Sequence, residues 1–584
     1  MAVSVVSSGH FTFEVCRMHF RREYLFFLSL LLSIAAVPGQ GQQPAYDFII
    51  AGAHVVDGTG APWFISDVGI NGDRIVAIGD LKDAKAKKRI DAAGLVVAPG
   101  FIDVQGQSEF NILVDNRAAS KITQGVTTEI TGEGTSIAPL NDRLREDFKD
   151  EAKKYGVALD WRSLDEYLRR LEQVRPAINL GTFIGAGGVR TYVIGKDNRP
   201  VTPAELDEMR RVVAQAMEQG AFGLSSALEY VPDSFASTDE LVELAKVAKR
   251  YGGVYFTHQR SESDRIFTSL DEVFDISQRA NISTTIWHLK AAYEENWGRM
   301  PEVLNRMVAA RARGIDVAAS AYPYTRASNG LIACFPSWVA EGGTDKMMER
   351  LKDPGQRARA QKEMGVPSIS WENEWLGSGR GKGVTLIQVV NPELHKYEGM
   401  TLDEIGKQMG KDPKDAAMDI AIADRGNSQV VIAIMLASDV RTTVSSPLVT
   451  YGSDSPAQAE DGPLSTTKAH PRAFGTFSRI LAEYVRGEHT MSLEEAIRKM
   501  TSQAASRVGI TDRGILRPGM MADVVVFDPA AIQDVATYND PIRYSVGVKH
   551  VLVNGKPVVL DSKITDERPG RALRGPGYKR ARLN

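Results

Sequence analysis

Eight short apolar runs, separated by helical stretches and bracketed by two β-rich flanks, constrain this chain more than any other feature of its sequence. The runs are LVVAPGFIDV, TTEITG, INLGTFIG, AFGLSS, GVYFTH, STTIWHL, GIDVAASAYPY and LVTYGSD. Helical patterns such as PAELDEMRRVVAQAMEQG and DELVELAKVAKRYGG lie between them, and both end in glycine, as a helix stop should. Strands alternating with helices in this way predict an α/β protein built on a (β/α)8 TIM-like barrel. A ninth apolar run, Gln429 to Met435, has no place in that count.

The flanks read differently. YDFIIAGAHVVDG and DVGINGDRIVAIGD near the start resemble in style MADVVVFDP and VKHVLVNGKPVV near the end. Asn71-Gly72 and Asn554-Gly555 are two-residue hairpin signals. Both termini are therefore expected to build one small sheet domain, from residues 44–98 and 516–570, around a barrel spanning 99–515. A polar, Pro- and Gly-dotted stretch at about 337–426 reads as a lid-like insertion after the seventh strand, and 571–584 as a loose basic tail.

Tyr24 to Val37 is apolar, follows Arg21 and Arg22, and is too short to span a bilayer, which takes about 20 residues. With the polar break after it, residues 1–41 read as a signal peptide cleaved near Gly39 to Gly41, with Met18 as an alternative start and an uncleaved membrane anchor as the alternative reading. The expected location is exported, periplasmic or secreted, with no membrane span in the mature chain. Cys16 leaves with the leader, so Cys334 has no intrachain partner. With Lys+Arg 70 against Asp+Glu 73, the chain lacks the basic excess of a nucleic-acid binder.

Barrel enzymes carry their chemistry at the C-terminal ends of the strands. There the sequence places Gln105 and Gln107 after the first strand, Glu133 after the second, His258 at the fifth, His288 and Lys290 at the sixth, and Asp454 at the eighth. Two histidines and a carboxylate at one mouth suit a divalent metal with a fourth position open to water. Taken alone, hydrogen-bonded histidines would look the same.

The ordered set VVDGTGAP, PGFIDV, GVTTEITGEGTSIAP, AFGLSSALEYVP, YFTHQRSE, WHLKAA, YPYT, YGSD and HPRAFGTF resembles the metal-dependent amidohydrolase superfamily, and within it the D-aminoacylase group of N-acyl-D-amino-acid deacylases. The resemblance covers nearly all of the chain after residue 44. It implies a metal-loaded (β/α)8 barrel with a small β-sandwich domain made from both termini, and that Glu133, His258 and His288 hold one Zn2+, with another divalent metal as the alternative. It further implies that Asp454 takes a proton from the attacking water, and that Tyr322, Ser328 and Arg472 meet a small substrate bearing a free carboxylate; Lys290, from its place beside His288, is read as a further substrate contact. Where the family carries His-x-His on the first strand, this chain has Gln105 and Gln107, so a second metal site is expected to be empty. Ala186 replaces another common histidine, and Ser455 stands where glycine is usual.

Several residues keep a second reading. Asp454 alternatively caps a following helix, Arg472 is alternatively a solvated loop charge, and Lys290 alternatively pairs with a surface acid. His470 carries no assignment. The function expected is hydrolysis of a linear amide. The alternatives are hydrolysis of cyclic amides or dipeptides, or an inactive relative that binds a ligand.

Overall fold

A computed structural model describes residues 46–578 apart from Ile369 and Thr467. The expected leader, with Cys16, and the last residues of the basic tail lie outside them. Among the described residues no helix is long and apolar enough to cross a membrane.

The two flanks meet in one nine-stranded sheet. Val96–Pro99 joins them, pairing parallel with Tyr46–Val55 on one side and antiparallel with Val524–Phe527 on the other. Val524, Val525, Val526 and Phe527 are all buried, because helices and barrel cover one face and the sheet's own core the other. The hairpin at Asn554-Gly555 forms as expected, with both residues at positive φ and Val553 opposite Lys556. At the other hairpin Asn71 pairs with Arg74, so the turn is Gly72-Asp73, one residue later than expected. The two turns touch: a Cβ on Gly555 would lie 1.9 Å from the Gly72 carbonyl oxygen.

The eight expected runs form the barrel. Its strands are Phe101–Asp103, Val126–Thr131, Asn179–Thr182 with Ile184–Gly185, Gly223–Ala227, Val254–His258, Thr284–Ile286, Val317–Ala321 and Val449–Tyr451. All neighbouring pairs are parallel. The ring closes beyond the last strand, where Gly106 bridges Ser455 and the Asp454 N–H donates to the Gln105 carbonyl at 2.8 Å. Below the mouth the interior is filled by Phe183, Phe256 and Trp287, whose rings lie 4.7–5.7 Å apart.

The ninth run is not a barrel strand. Gln429–Ala433 pairs antiparallel with Arg326–Gly330 and Val384–Gln388 in a separate three-stranded sheet between the seventh and eighth barrel strands. A buried apolar run has the same pattern in either setting, so the sequence alone does not assign its partner. The tail is not loose over its described part. Arg571 and Leu573 exchange backbone hydrogen bonds with Leu180, and Arg574 pairs with Asp165 at 2.7 Å.

At the seam between first and last strands lies a fully buried ion cluster. The Lys121 ammonium donates to Asp103 at 2.9 Å, to the Ser453 hydroxyl at 2.7 Å and to the Ser455 carbonyl at 2.8 Å, and sits 3.4 Å from Glu129. Asp103 in turn accepts the N–H groups of Gln105 and Ser453, and Glu129 accepts the N–H and the hydroxyl of Ser108. The cluster thus pins the backbone on both sides of the closure. Removing one partner leaves buried charge uncompensated, which costs about 3–5 kcal/mol. Lys121→Met, which keeps the apolar stem, should lower unfolding free energy by that amount in urea titrations.

Candidate active site

Glu133 extends the second strand, and its carboxylate stands between two imidazoles. Glu133 Oε1 lies 3.3 Å from His288 Nε2 and 3.5 Å from His258 Nδ1. These three donors converge. A tetrahedral ion with bonds of roughly 2.1 Å spaces its ligands by about 3.4 Å, so the set fits a single divalent metal. Each ring is held from its far side by a further carboxylate. Glu229 Oε2 is 2.8 Å from His258 Nε2, and Glu262 Oε1 is 2.9 Å from His288 Nδ1. Such partners orient ligand histidines and raise their basicity.

The charges are mutually dependent. Burial opposes ionisation of Glu133, yet the hydrogen bonds from His258 and His288 hold its carboxyl below the usual range. Burial likewise opposes ionisation of Glu262, and the Lys290 ammonium holds it down. Burial disfavours the imidazolium of His258, but the Glu262 and Glu133 carboxylates outweigh it and raise the proton affinity. His288 is raised too: burial and Lys290 oppose its charge, and Glu262 and Asp454 favour it.

Asp454 faces this set across a cavity of about 330 Å³, lined also by Gln107, Glu133, Tyr230, His258, His288 and Asn329. It caps no helix, since the next helical residues are Pro463–Ser465. Its φ is 49° and that of His288 is 36°, left-handed conformations that non-glycine residues adopt only where their surroundings impose them. The imposing contacts are the Asp454 N–H on the Gln105 carbonyl and the His288 N–H on the Ser320 hydroxyl at 3.0 Å. Burial pushes the Asp454 carboxyl up, against the opposing pull of Arg472.

Arg472 is buried at the start of the helix Arg472–Arg479 and is not a solvated loop charge. Its Nη1 lies 2.7 Å from Asp454 Oδ2, its Nη2 donates to the Ser328 carbonyl at 3.3 Å, and its guanidinium lies 4.8 Å from the Tyr322 ring centre. The Nη1 contact is an ion pair without hydrogen-bond alignment, so Nη1 and Nε keep unused donors in a buried place. The Tyr322 hydroxyl is also buried without a partner. His470 positions Arg472: its Nδ1 accepts the Arg472 N–H and its Nε2 meets the Arg326 carbonyl at 3.0 Å, which fixes a neutral ring. Ser328 lines the cavity from the inserted sheet.

Two expectations change. Lys290 gives its donors to both Glu262 oxygens, at 2.7 and 2.6 Å, and lies 2.7 Å from His288 Nδ1. It therefore supports a histidine from behind, and the acid it pairs with is buried and not at the surface. Gln105 and Gln107, expected only to leave a second metal site empty, each hold a carboxylate of the site: Gln105 Nε2 donates to Glu133 at 2.9 Å and Gln107 Nε2 to Asp454 at 2.9 Å. Glu229 and Glu262 escaped sequence reasoning, although each follows closely on the end of a barrel strand, where a carboxylate beside a histidine is a usable signal.

A polar barrel mouth with a Glu-His-His set that could hold a metal, facing a buried aspartate, is the arrangement of a metal-dependent hydrolase. Comparisons with known proteins agree and are more specific. The amidohydrolase family profile matches residues 415–559. The chain is 33% identical to D-aminoacylase of Alcaligenes xylosoxydans xylosoxydans over 91% of its own length and 99% of that protein's. It is 34% identical to the N-acyl-D-aspartate deacylase of the same organism, over 91% and 95%. The structure superposes on an N-acyl-D-glutamate deacylase from Bordetella bronchiseptica, complexed with zinc and a phosphonate inhibitor, with a TM-score of 0.76, 31% identity and coverage of 91% and 100%. The chain belongs to the D-aminoacylase family of metal-dependent amidohydrolases.

Metal binding requires both imidazoles to be neutral, and their proton affinity is raised above the ordinary 6.5. Protons therefore compete from above that pH, and each imidazole costs about tenfold in affinity per unit of further acidification. As the pH is lowered, zinc affinity measured against a chelator should begin to fall while the pH is still above 6.5, and His288→Ala should hold no stoichiometric metal at any pH.

Proposed function

We propose that this chain is a zinc-dependent N-acyl-D-amino-acid deacylase that works with one metal ion per subunit. The observation that carries the proposal is the convergence of Glu133, His258 and His288 on the cavity that Asp454 faces. Bound by those three residues, a divalent ion supplies Lewis acidity to a carbonyl and lowers the pKa of water. The relatives' names support N-acyl-D-amino acids as the substrate class, and the zinc complex of one of them supports the metal. An inactive binding protein would have no need for strained His288 and Asp454 backbones or for buried carboxylates behind both histidines.

The remaining work falls to the chain's own side chains. Asp454, whose carboxyl is raised by burial, takes the proton of the attacking water and returns it to the leaving amine. Arg472, whose Nη1 also pairs with Asp454, offers to the substrate carboxylate the hydrogen-bond donors of Nε and Nη1 that no acceptor takes up, and a planar fork serves this better than an ammonium does. Tyr322 adds its unpartnered hydroxyl, and Ser328 and Asn329 form the wall on the inserted side. A second cavity of about 890 Å³ adjoins the first, sharing Tyr230 and Asn329, and gives room for an acyl chain or side chain. An exported location is part of the proposal and rests on the leader sequence alone.

Assays of N-acyl-D-amino acids, their L forms, hydantoins and dipeptides on one zinc-loaded preparation test the substrate class. Asp454→Asn should lower kcat by roughly 10²–10⁴-fold with zinc content unchanged. Full turnover in that variant removes Asp454 from the chemistry. Arg472→Lys should raise KM for substrates with a free carboxylate at least about tenfold, the loss expected for a two-pronged hydrogen bond. Equal cleavage of the carboxyl amide would show that no carboxylate is recognised.

A further inference from the structure

A glutamine amide has one end that donates and one that accepts, and here the neighbours decide which faces where. Glu133 and Asp454, when ionised, can only accept. Gln105 therefore presents Nε2 to Glu133 Oε2 at 2.9 Å, and Gln107 presents Nε2 to Asp454 Oδ1 at 2.9 Å. The other end of Gln105 is also committed: its Oε1 accepts the Ser320 hydroxyl at 3.1 Å, and that hydroxyl accepts the His288 N–H at 3.0 Å. The relay runs in one sense from the sixth strand through the seventh to the first and on to Glu133. Turning the amide to offer an oxygen to a cation would break it and set oxygen against oxygen. The backbone between the two glutamines lies tight against Glu129, since a Cβ on Gly106 would lie 1.8 Å from Glu129 Oε1. The first strand thus fits no second metal. What it presents is a pair of neutral donors, aimed at the two carboxylates that a second cation would otherwise neutralise.

We infer that Gln105 and Gln107 form an amide clamp that replaces a second metal: they fix the active site to one ion and hold Glu133 and Asp454 in their working orientations. Gln107 is a positioning residue for Asp454, gripping Oδ1 while Arg472 flanks Oδ2. Gln105 does the same for Glu133, leaving Oε1 to face the two histidines. This inference rests on the one-metal reading above, and metal counting separates the two.

The full-length holoprotein is equilibrated with excess zinc, gel-filtered and analysed for metal. The clamp predicts one equivalent in the wild type and two in the Gln105→His/Gln107→His double variant. Two equivalents in the wild type, or one in the double variant, overturn the clamp and leave the one-metal deacylase chemistry testable by assay. No zinc in the wild type overturns the one-metal reading and the clamp with it. The positioning role is read from Gln107→Met, which keeps the length of the side chain and removes the donor. It should retain one zinc and a KM within about twofold of wild type, with kcat at least about tenfold lower, a loss of one charge-assisted hydrogen bond. A wild-type kcat in this variant overturns the positioning role, and an unchanged thermal melting point excludes misfolding as the cause of a loss.

Discussion

The Lys121 ammonium lies where the barrel's first strand meets its last, and the geometry of the mouth depends on that contact. A buried charge of this kind is tolerated only when its full hydrogen-bonding capacity is met, and here Asp103, Ser453 and Ser455 meet it with Glu129 close by. Those partners are not scattered. Asp103 and Ser453 immediately precede the segments that carry Gln105, Gln107 and Asp454, so the price of hiding one ammonium is returned as a fixed spacing between the residues above it. The barrel is closed by polar contacts just where it must also be reactive.

Above that seam the site is an exercise in distributing negative charge. Glu133, Glu229, Glu262 and Asp454 crowd two imidazoles in a region that water scarcely enters. In such a medium an unbalanced carboxylate is expensive; three of the four have dedicated counterparts, and burial with the neighbouring acids pushes the carboxyl of the fourth, Glu229, well up toward its neutral form. Lys290 serves Glu262, the histidines serve Glu133, and Gln107 and Arg472 serve Asp454. His470 contributes without charge: burial and the nearby Arg472 push its pKa well down, and the neutral ring hands the arginine its backbone contact.

Much of this was legible before any coordinates. The period of apolar runs carried the barrel, and matching flank styles carried the shared sheet, because both are local patterns with one economical explanation. His258, His288, Glu133 and Asp454 could be located as strand-end polar residues. What escaped was pairing at long range. Nothing local tells whether Gln429–Ala433 joins a barrel or a three-stranded sheet. Nothing in WHLKAA says that Lys290 turns back to Glu262. The glutamines read as losses because a residue type can be scored against a metal from sequence, whereas the direction of an amide dipole cannot.

The sheet assembled from both ends has a consequence for how the protein is made. Val96–Pro99 takes its antiparallel partner from Val524–Phe527, and the whole barrel is synthesised between them. At roughly 5–20 residues per second, the early strands wait tens of seconds with a valine-rich edge unpaired. An open edge of that composition invites pairing with another chain. The nascent protein therefore has a strong reason to need a holding factor, and any truncation that removes the last strands should leave a sticky edge even if the barrel itself is intact.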